Sequence, residues 1–202
     1  MGSDGTPEEK AILRKDSTAL TPLLKAIAFI AMIASSVLIM YTMKMGNEGK
    51  LSVLSGKGIP KDAGRTYSAK LEFTVKYWLL PLIWFKLNIY LVIMKRVPSR
   101  AVNPLDGHEY IVERVKNILT NTLEQMVASL VMQSILISFL TVDEVIKFIP
   151  LINVLFFVGR ITFWLGYPLF RTFGFMTTSL PTSIGLGVCV YRCLTKHFGL
   201  VF

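Results

Sequence analysis

The chain has 202 residues, of which 52% are hydrophobic and 17% are charged. A water-soluble globular domain is excluded, because so much apolar surface needs an apolar solvent. The apolar residues come in blocks about as long as the ~20 residues that cross a hydrocarbon core, which predicts an integral membrane protein in a lipid bilayer. The net charge is +9, but the basic residues lie mostly between the apolar blocks. We therefore expect anionic lipid headgroups, and no nucleic acid, as the counter-charge.

The first apolar block predicts an extra N-terminal transmembrane helix over residues 19 to 43, after a flexible polar tail over residues 1 to 18. A cleaved signal peptide is the competing interpretation. The apolar run is too long for one, and the tail before it is acidic as well as basic. Residues 44 to 70, which contain several glycines and lysines, predict a solvated polar loop.

Four further blocks predict a four-helix core over residues 71 to 194, followed by a short C-terminal tail over residues 195 to 202. The blocks cover residues 71 to 94, 110 to 140, 145 to 167 and 173 to 194. A cluster of proline and glycine breaks the chain between the first two of them. Short connections between the last three predict antiparallel neighbours. The expected fold is an all-α membrane bundle with five spans.

Several residues are expected to have structural roles only. Ser179, Ser183 and Gly187 recur every four residues, a spacing that lets helices approach closely in lipid. Cys189 and Cys193 stack on one helix face without the geometry for an easy disulfide. The two histidines of the chain, His108 and His197, show no metal-ligand spacing, so we expect no metal site.

Polar residues inside the second core block follow helical spacing. They are separated by steps of three, four and three: Arg114, Asn117, Asn121 and Glu124. At about 100° per residue these steps keep the side chains on one face of a helix. A polar group that faces lipid is costly, so we expect this stripe to point into the protein. In the first core block, Lys86 either pairs with Glu124, snorkels to the headgroups or contacts a ligand.

The third core block carries Asn153, Arg160 and Tyr167 at intervals of seven. Arg171 would continue this face if the helix is only kinked between them. We expect Glu124 to pair with Arg160, since a buried guanidinium without an acceptor is very unfavourable. Such a pair is either a clamp that holds the bundle together or part of a cavity for an anionic or peptide-like ligand. The spacing leaves both open.

Several of these residues resemble the motifs of a known superfamily. Residues 113 to 115 (Glu-Arg-Val) and 121 to 124 (Asn-Thr-Leu-Glu) resemble the Glu-Arg-Val … Asn-x-x-Glu signature of the MAPEG superfamily, the membrane-associated proteins in eicosanoid and glutathione metabolism. Arg160 and Tyr167 are similar to the Arg … Tyr pattern on that family's third core helix. Residues 101 to 106 (Ala-Val-Asn-Pro-Leu-Asp) are similar to the loop after its first core helix.

This resemblance spans residues 71 to 194. It implies a four-helix bundle in each chain, a homotrimer, and glutathione bound between neighbouring subunits near the cytosolic face. The residues that it implies for glutathione binding are Asn121, Glu124, Arg160, Tyr167 and Arg114. It leaves open whether glutathione is still bound by this chain.

The chain departs from the family where the enzymes present an arginine to the glutathione sulfur. A positive charge there favours the thiolate, but the corresponding positions hold Gly174 and Met176. Arg171 lies about one turn earlier and is the candidate catalytic residue. Thiol chemistry is therefore expected to be weak or absent.

The extra first helix, the Phe163-Trp164 pair and the Leu180-Pro181 pair resemble the mattrin-like branch of the superfamily more than its enzymes. That branch implies five spans, a location in the endomembranes of the ER, Golgi or lysosomal route, and action through a lipid or a membrane-protein partner. The alternative is a glutathione-dependent transferase, peroxidase or isomerase acting on lipophilic substrates. A transporter is a third alternative, against which the absence of inverted repeats argues. The family resemblance also implies a cytosolic N terminus, which the charge pattern alone does not decide.

Overall fold

The computed structural model describes residues 7 to 50, 66 to 103 and 108 to 198. Within these ranges the chain is helical and contains no strand. Its helices, in chain order, are α1 (Pro7–Asn47), α2 (Tyr67–Tyr77), α3 (Leu79–Arg96), α4 (Glu113–Leu136), α5 (Val142–Gly166) and α6 (Thr172–Phe198). Two short 3₁₀ turns, Arg100–Val102 and Glu109–Ile111, lie between α3 and α4.

Four stretches of these helices are long and apolar enough to cross a bilayer. They are Pro22–Asn47, Tyr67–Arg96, Val142–Gly166 and Thr172–Lys196. The chain is therefore a helical membrane protein with several candidate spans. The helix α4 has 24 residues, which is long enough to cross, but its polar stripe keeps it out of this set. The fifth span stays a prediction.

The helix α1 begins at Pro7, so the flexible tail expected over residues 1 to 18 is helical from that residue onward. Proline fits the first position of a helix because its missing N–H has no partner there in any case. The following sequence has no glycine before Gly46. The helix ends near Gly49, whose φ of 71° is a left-handed conformation that glycine adopts at low cost. Residues 51 to 65 of the expected loop lie outside the described residues.

The block expected as one helix over residues 71 to 94 is divided into α2 and α3 at Trp78. Pro81, in the first turn of α3, has no N–H to donate back into the preceding turn, which explains the break. The acidic turn before α5 is a capping box. The backbone N–H of Thr141 donates to Glu144 Oε2 at 2.7 Å, and the N–H of Glu144 donates to Thr141 Oγ1 at 3.4 Å.

The helix α5 lies at the centre of the bundle. In its most apolar stretch 56% of the residues are buried, against 11% in that of α1. It packs most extensively on α6 and also contacts α1, α2 and α3. Its fully buried Val145 and Ile149 form a core cluster with Phe73 of α2 and Ile137.

Glycines bring α5 and α6 together. A Cβ atom at Gly159 would lie 2.6 Å from Cγ2 of Thr178, and one at Gly174 would overlap the backbone of Phe163. Neither position can accept a side chain without moving a helix. The turn between these two helices is thereby held close to α5.

The small-residue stripe predicted in the last block is not at this contact. Gly187 has no atom within 4 Å of its Cβ position, and Ser183 is exposed. The close approach between α6 and α4 is instead at Gly185, where a Cβ would lie 2.5 Å from Sδ of Met132. The prediction was wrong within this chain because spacing alone does not say which face of a helix meets protein.

Candidate functional site

A cavity of about 430 Å³ lies between α4, the end of α5 and the start of α6. We call it the α4–α6 cavity. Its lining residues are Asn117, Thr120, Asn121, Glu124, Phe163, Tyr167, Arg171, Thr172 and Phe175. It brings together four of the six site residues expected from the sequence, which are Asn121, Glu124, Tyr167 and Arg171.

Arg160 lies directly behind the wall of this cavity and is fully buried. Its Nη1 donates a hydrogen bond to Asn121 Oδ1 at 2.8 Å, and its Nη2 donates to Thr178 Oγ1. The guanidinium carbon lies 4.7 Å from the centre of the Phe163 ring, within the range of a cation–π contact. Arg160 thus fixes the Asn121 carboxamide that lines the cavity.

The ion pair expected between Arg160 and Glu124 is absent among the described residues. Glu124 is exposed at the cavity, and the guanidinium is held by neutral oxygen atoms and aromatic rings. Three residues along a helix turn the side chain by roughly 60°, so α4 directs Asn121 rather than Glu124 toward α5. One nitrogen of the guanidinium, Nε, has no hydrogen-bond partner in the described part of the chain.

The expectation that the stripe on α4 points into the protein is only partly correct. Asn121 is half-buried, whereas Arg114, Asn117 and Glu124 are exposed in this chain. Arg114 does not line the cavity. Its Nη2 donates to the backbone carbonyl oxygen of Tyr167 at 2.9 Å, so it ties the start of α4 to the end of α5 beside the cavity.

Arg171 reaches the cavity from the turn between α5 and α6. Because α5 ends at Gly166 and α6 begins at Thr172, Arg171 does not continue the helix face that carries Arg160, as had been expected. Its guanidinium carbon lies 5.6 Å from the centre of the Tyr167 ring. Among the described residues it is the cavity's one cationic lining side chain.

The two positions at which the resemblance would place a thiol-activating arginine, Gly174 and Met176, do not contribute to the cavity lining. Gly174 packs against the backbone of α5 at Phe163, with no space for a side chain. Met176, which is half-buried, is not a lining residue. Neither position therefore supplies a cation to the cavity, and Arg171 is the cation that lines it among the described residues.

Asn153 belongs to a separate polar network deeper in the bundle. Its Nδ2 donates to Gln133 Oε1 at 2.8 Å, and that oxygen also accepts from Trp78 Nε1 at 3.2 Å. Gln133 Nε2 donates in turn to Ser129 Oγ at 3.1 Å. The sequence interval of seven placed Asn153 on the face of Arg160, but this network links α4 and α5 with Trp78 and does not contact the cavity.

Four lining residues were missed by the sequence reasoning: Thr120, Phe163, Thr172 and Phe175. Thr120 lies between Asn117 and Glu124 at steps of three and four, so the same helical spacing that identified its neighbours could have identified it. Thr172 and Phe175 lie at the start of α6 and Phe163 lies in the last turn of α5, where the sequence carries no comparable signal.

An ion-pair cluster joins the last residue of α3 and the first turn of α4 to Glu109, which lies in the 3₁₀ turn between these helices, outside the apolar spans. Glu109 is 2.9 Å from Nη1 of Arg96 and 3.0 Å from Nζ of Lys116. The hydrogen bond from Lys116, together with the nearby charge of Arg96, holds the pKa of the Glu109 carboxyl below its usual value. The cluster joins the two helices across the loop between them.

Comparison of the chain with protein-family models, with curated proteins and with solved structures gives no match in any of the three. The MAPEG resemblance accordingly rests on the motifs of this sequence. The cavity provides a separate, geometric basis for a functional proposal.

Proposed function

We propose that the chain is a MAPEG-like, mattrin-like membrane protein that binds an anionic, peptide-like or lipid ligand in the α4–α6 cavity and acts through a lipid or protein partner. The observation that carries this proposal is the convergence of Asn121, Glu124, Tyr167 and Arg171 on one cavity. Two of these residues lie on α4 and two in the turn between α5 and α6, up to fifty positions apart in sequence. Residues that the sequence motifs selected therefore lie together at one cavity, which supports this proposal.

The chemistry of the cavity fits a ligand that carries both charges and amides. Arg171 supplies a cation for a carboxylate or phosphate, and Glu124 supplies an anion for an ammonium group. The carboxamides of Asn117 and Asn121 can each donate and accept hydrogen bonds. Glutathione carries all of these groups, so we propose glutathione or a similar peptide as the first ligand to test.

We favour binding over catalysis because of the packing of Gly174. A thiolate is favoured by an adjacent positive charge, and the tight contact of Gly174 with Phe163 leaves no space for the arginine that family enzymes use. A glutathione-dependent transferase, peroxidase or isomerase is the second candidate function. It is favoured by one observation, the presence of Arg171 in the cavity lining.

We further propose that the chain forms a homotrimer in which α4 crosses the membrane as a fifth span. Asn117, Thr120 and Glu124 are exposed on α4 in a single chain, and Lys86 is exposed in α3, where its Nζ lies 5.3 Å from the Tyr90 ring centre. Such groups are costly when they face lipid, and a neighbouring chain would cover them. Native mass spectrometry of the detergent-solubilised protein counts the chains, and a monomer would contradict this proposal.

For the cellular setting we propose the endomembrane system, with the N terminus in the cytosol. Glycosylation acceptors inserted in residues 51 to 65 and at Ser99 test the orientation. The proposal expects modification in the first segment only. Modification at Ser99 alone would reverse the orientation.

The ligand proposal is tested with the purified full-length protein. Isothermal titration with glutathione is compared for the wild type, Arg171→Ala and Arg192→Ala. Arg192 is the matched control, since it is an exposed arginine in the last turns of α6, far along the helix from the cavity. We expect Arg171→Ala to weaken binding about tenfold or more, because a hydrogen bond to a charged group contributes about 1.5 to 3 kcal/mol, and Arg192→Ala to leave it unchanged.

Turnover with a generic aromatic electrophile, measured on the same samples, separates the two candidate functions. The binding proposal expects no turnover above the rate of glutathione alone. Robust turnover that Arg171→Ala abolishes would establish the enzyme instead. Absence of glutathione binding by the wild type would refute the glutathione-class ligand.

A further inference from the structure

The side chains of Thr178, Arg160 and Asn121 form a continuous series of hydrogen bonds from the interior of α6 to the α4–α6 cavity. The Thr178 hydroxyl donates to the backbone carbonyl of Phe175 at 2.9 Å, so its proton is already used and its oxygen accepts from Nη2 of Arg160. Nη1 of Arg160 donates in turn to Asn121 Oδ1 at 2.8 Å. The direction of each hydrogen bond in the series is therefore set.

This series decides which atom Asn121 presents to the cavity. A guanidinium has only N–H groups and cannot accept a hydrogen bond, so the carboxamide oxygen must face Arg160. The carboxamide nitrogen, Nδ2, has no partner within the described ranges, yet it is not one of their buried unsatisfied atoms. It is therefore accessible at the cavity that Asn121 lines, and Asn121 is restricted to donation there.

Burial makes this orientation hard to reverse. Arg160 is 0% exposed and Thr178 is 2% exposed, so water does not reach either group. A reversed Asn121 carboxamide would place its NH₂ against the buried guanidinium, leaving two donors face to face and a buried cation without that acceptor. Asn117 is exposed instead, and its side chain makes no hydrogen bond to another described residue. Its carboxamide is free to turn, whereas that of Asn121 is not.

The charge of Arg160 also strengthens the donor at the cavity. A hydrogen bond from a cation to Oδ1 polarises the Asn121 carboxamide, because hydrogen bonds in series reinforce one another in a medium of low dielectric constant. The N–H groups of Nδ2 therefore become better donors to an oxygen atom of a ligand. Arg160 acts on the cavity in this way although its own side chain does not line it.

We propose that Arg160 is a positioning residue that makes Asn121 a fixed hydrogen-bond donor, so that the ligand must place a carboxylate or carbonyl oxygen beside Asn121. A ligand that presents an ammonium or amide N–H group at this point meets a second donor and is disfavoured. This inference rests on the proposed function, because it states how the α4–α6 cavity selects its ligand.

The binding test is isothermal titration of the purified full-length protein with glutathione, which carries carboxylates and carbonyls. Asn121→Asp keeps an oxygen for Arg160 but offers the cavity no N–H group. We expect it to weaken binding more than about tenfold, as for the loss of a hydrogen bond to a charged group. Arg160→Met frees the carboxamide to turn and should weaken binding about three- to tenfold, the effect of immobilising one side chain. In the Asn121→Ala background Arg160→Met should have no further effect, because the group that Arg160 positions is absent.

A second measurement needs no ligand. NMR relaxation of the Asn121 side-chain nitrogen in micelles, assigned by the loss of its signal in Asn121→Asp, should give an order parameter near the ~0.85 of a rigid group. It should fall below about 0.6 in Arg160→Met, with a smaller decrease in Thr178→Val. Thr177→Val is the matched control. Thr177 is also buried, but its hydroxyl donates to the carbonyl of Phe173 at 2.8 Å, so neither measurement should change.

Three results would overturn the proposal. Equal weakening by Arg160→Met in the wild-type and Asn121→Ala backgrounds would show that Arg160 acts on the fold or contacts the ligand itself. Unchanged or tighter binding by Asn121→Asp would show that the ligand does not accept from Asn121, and a low order parameter in the wild type would show that the donor is not fixed. Thermal unfolding checks the fold of each variant, and the Asn121→Ala cycle decides if Asn121→Asp unfolds. A wild type that binds no glutathione refutes the proposed ligand instead, and the order parameters then decide on the fixed donor alone.

Discussion

Replacement of Arg160 tests how a fully buried charge is tolerated without a carboxylate. Its hydrogen bonds to Asn121 and Thr178 are each expected to contribute about 1.5 to 3 kcal/mol, as bonds from a charged donor do, and the contact with Phe163 about 1 to 2 kcal/mol. These contributions are opposed by the free energy needed to remove the guanidinium from water, which is several kcal/mol. The contributions nearly cancel.

We therefore expect Arg160→Met, which keeps most of the apolar volume, to change the free energy of unfolding by less than about 1.5 kcal/mol. Asn121 is left facing a cavity that water can enter, so the loss of its partner costs little. Arg160→Ala also removes the volume that packs against Phe163 and should destabilise by about 2 to 4 kcal/mol more. The assay is reversible unfolding in mixed micelles by denaturing detergent, with helicity as the signal.

Double-mutant cycles identify the partner of Arg160. Arg160→Met combined with Asn121→Leu should give a coupling energy of about 1 to 2 kcal/mol, and combined with Glu124→Gln less than about 0.5 kcal/mol. A larger coupling to Glu124 than to Asn121 would show that the ion pair forms in the membrane and would refute the assignment made here. Equal destabilisation by Arg160→Met and Arg160→Ala would show instead that the buried charge is strongly stabilising.

Three further predictions concern packing, capping and pH. Gly174→Ala should destabilise the protein by about 3 kcal/mol or prevent folding, because the added Cβ overlaps the α5 backbone. The control is Gly187→Ala, whose added Cβ contacts no neighbouring atom. It should be neutral or stabilise by up to about 1 kcal/mol in the same unfolding assay. Thr141→Ala removes the capping box of α5 and should lower the free energy of unfolding by about 1 kcal/mol. Amide exchange should become faster only in the first turn of that helix, and faster exchange throughout α5 would contradict this prediction. The pKa of Glu109 is lowered by its ion pairs, so these pairs stabilise the α3–α4 loop above the carboxyl's unfolded pKa and are lost as pH falls through the lower folded pKa. Amide exchange in this loop, corrected for its intrinsic rate, should therefore rise in that acidic range. Glu109→Gln should remove this pH dependence.

The sequence predicted the positions of the core helices because apolar runs and breakers are local signals. The break at Trp78 was missed, although Pro81 was visible, because a proline in an apolar run can kink a helix or divide it. Within the site, helical spacing correctly grouped Asn121 with Glu124. It could not say which of the two meets Arg160, since that depends on the rotation of α4 against α5, which tertiary packing sets.

The absence of a side chain at Gly174 follows from how α5 and α6 pack. Gly159 and Gly174 allow the two helices to approach until a Cβ at either position would collide with the other helix. The same approach brings Thr178 to the buried guanidinium of Arg160 and leaves Arg171 in the turn as the cation of the cavity. An arginine at Gly174 would therefore require the helices to separate and would withdraw Thr178 from Arg160. Gly174→Arg should consequently fail to produce a folded protein, so a further cation at the cavity can be introduced only through residues of the turn before α6.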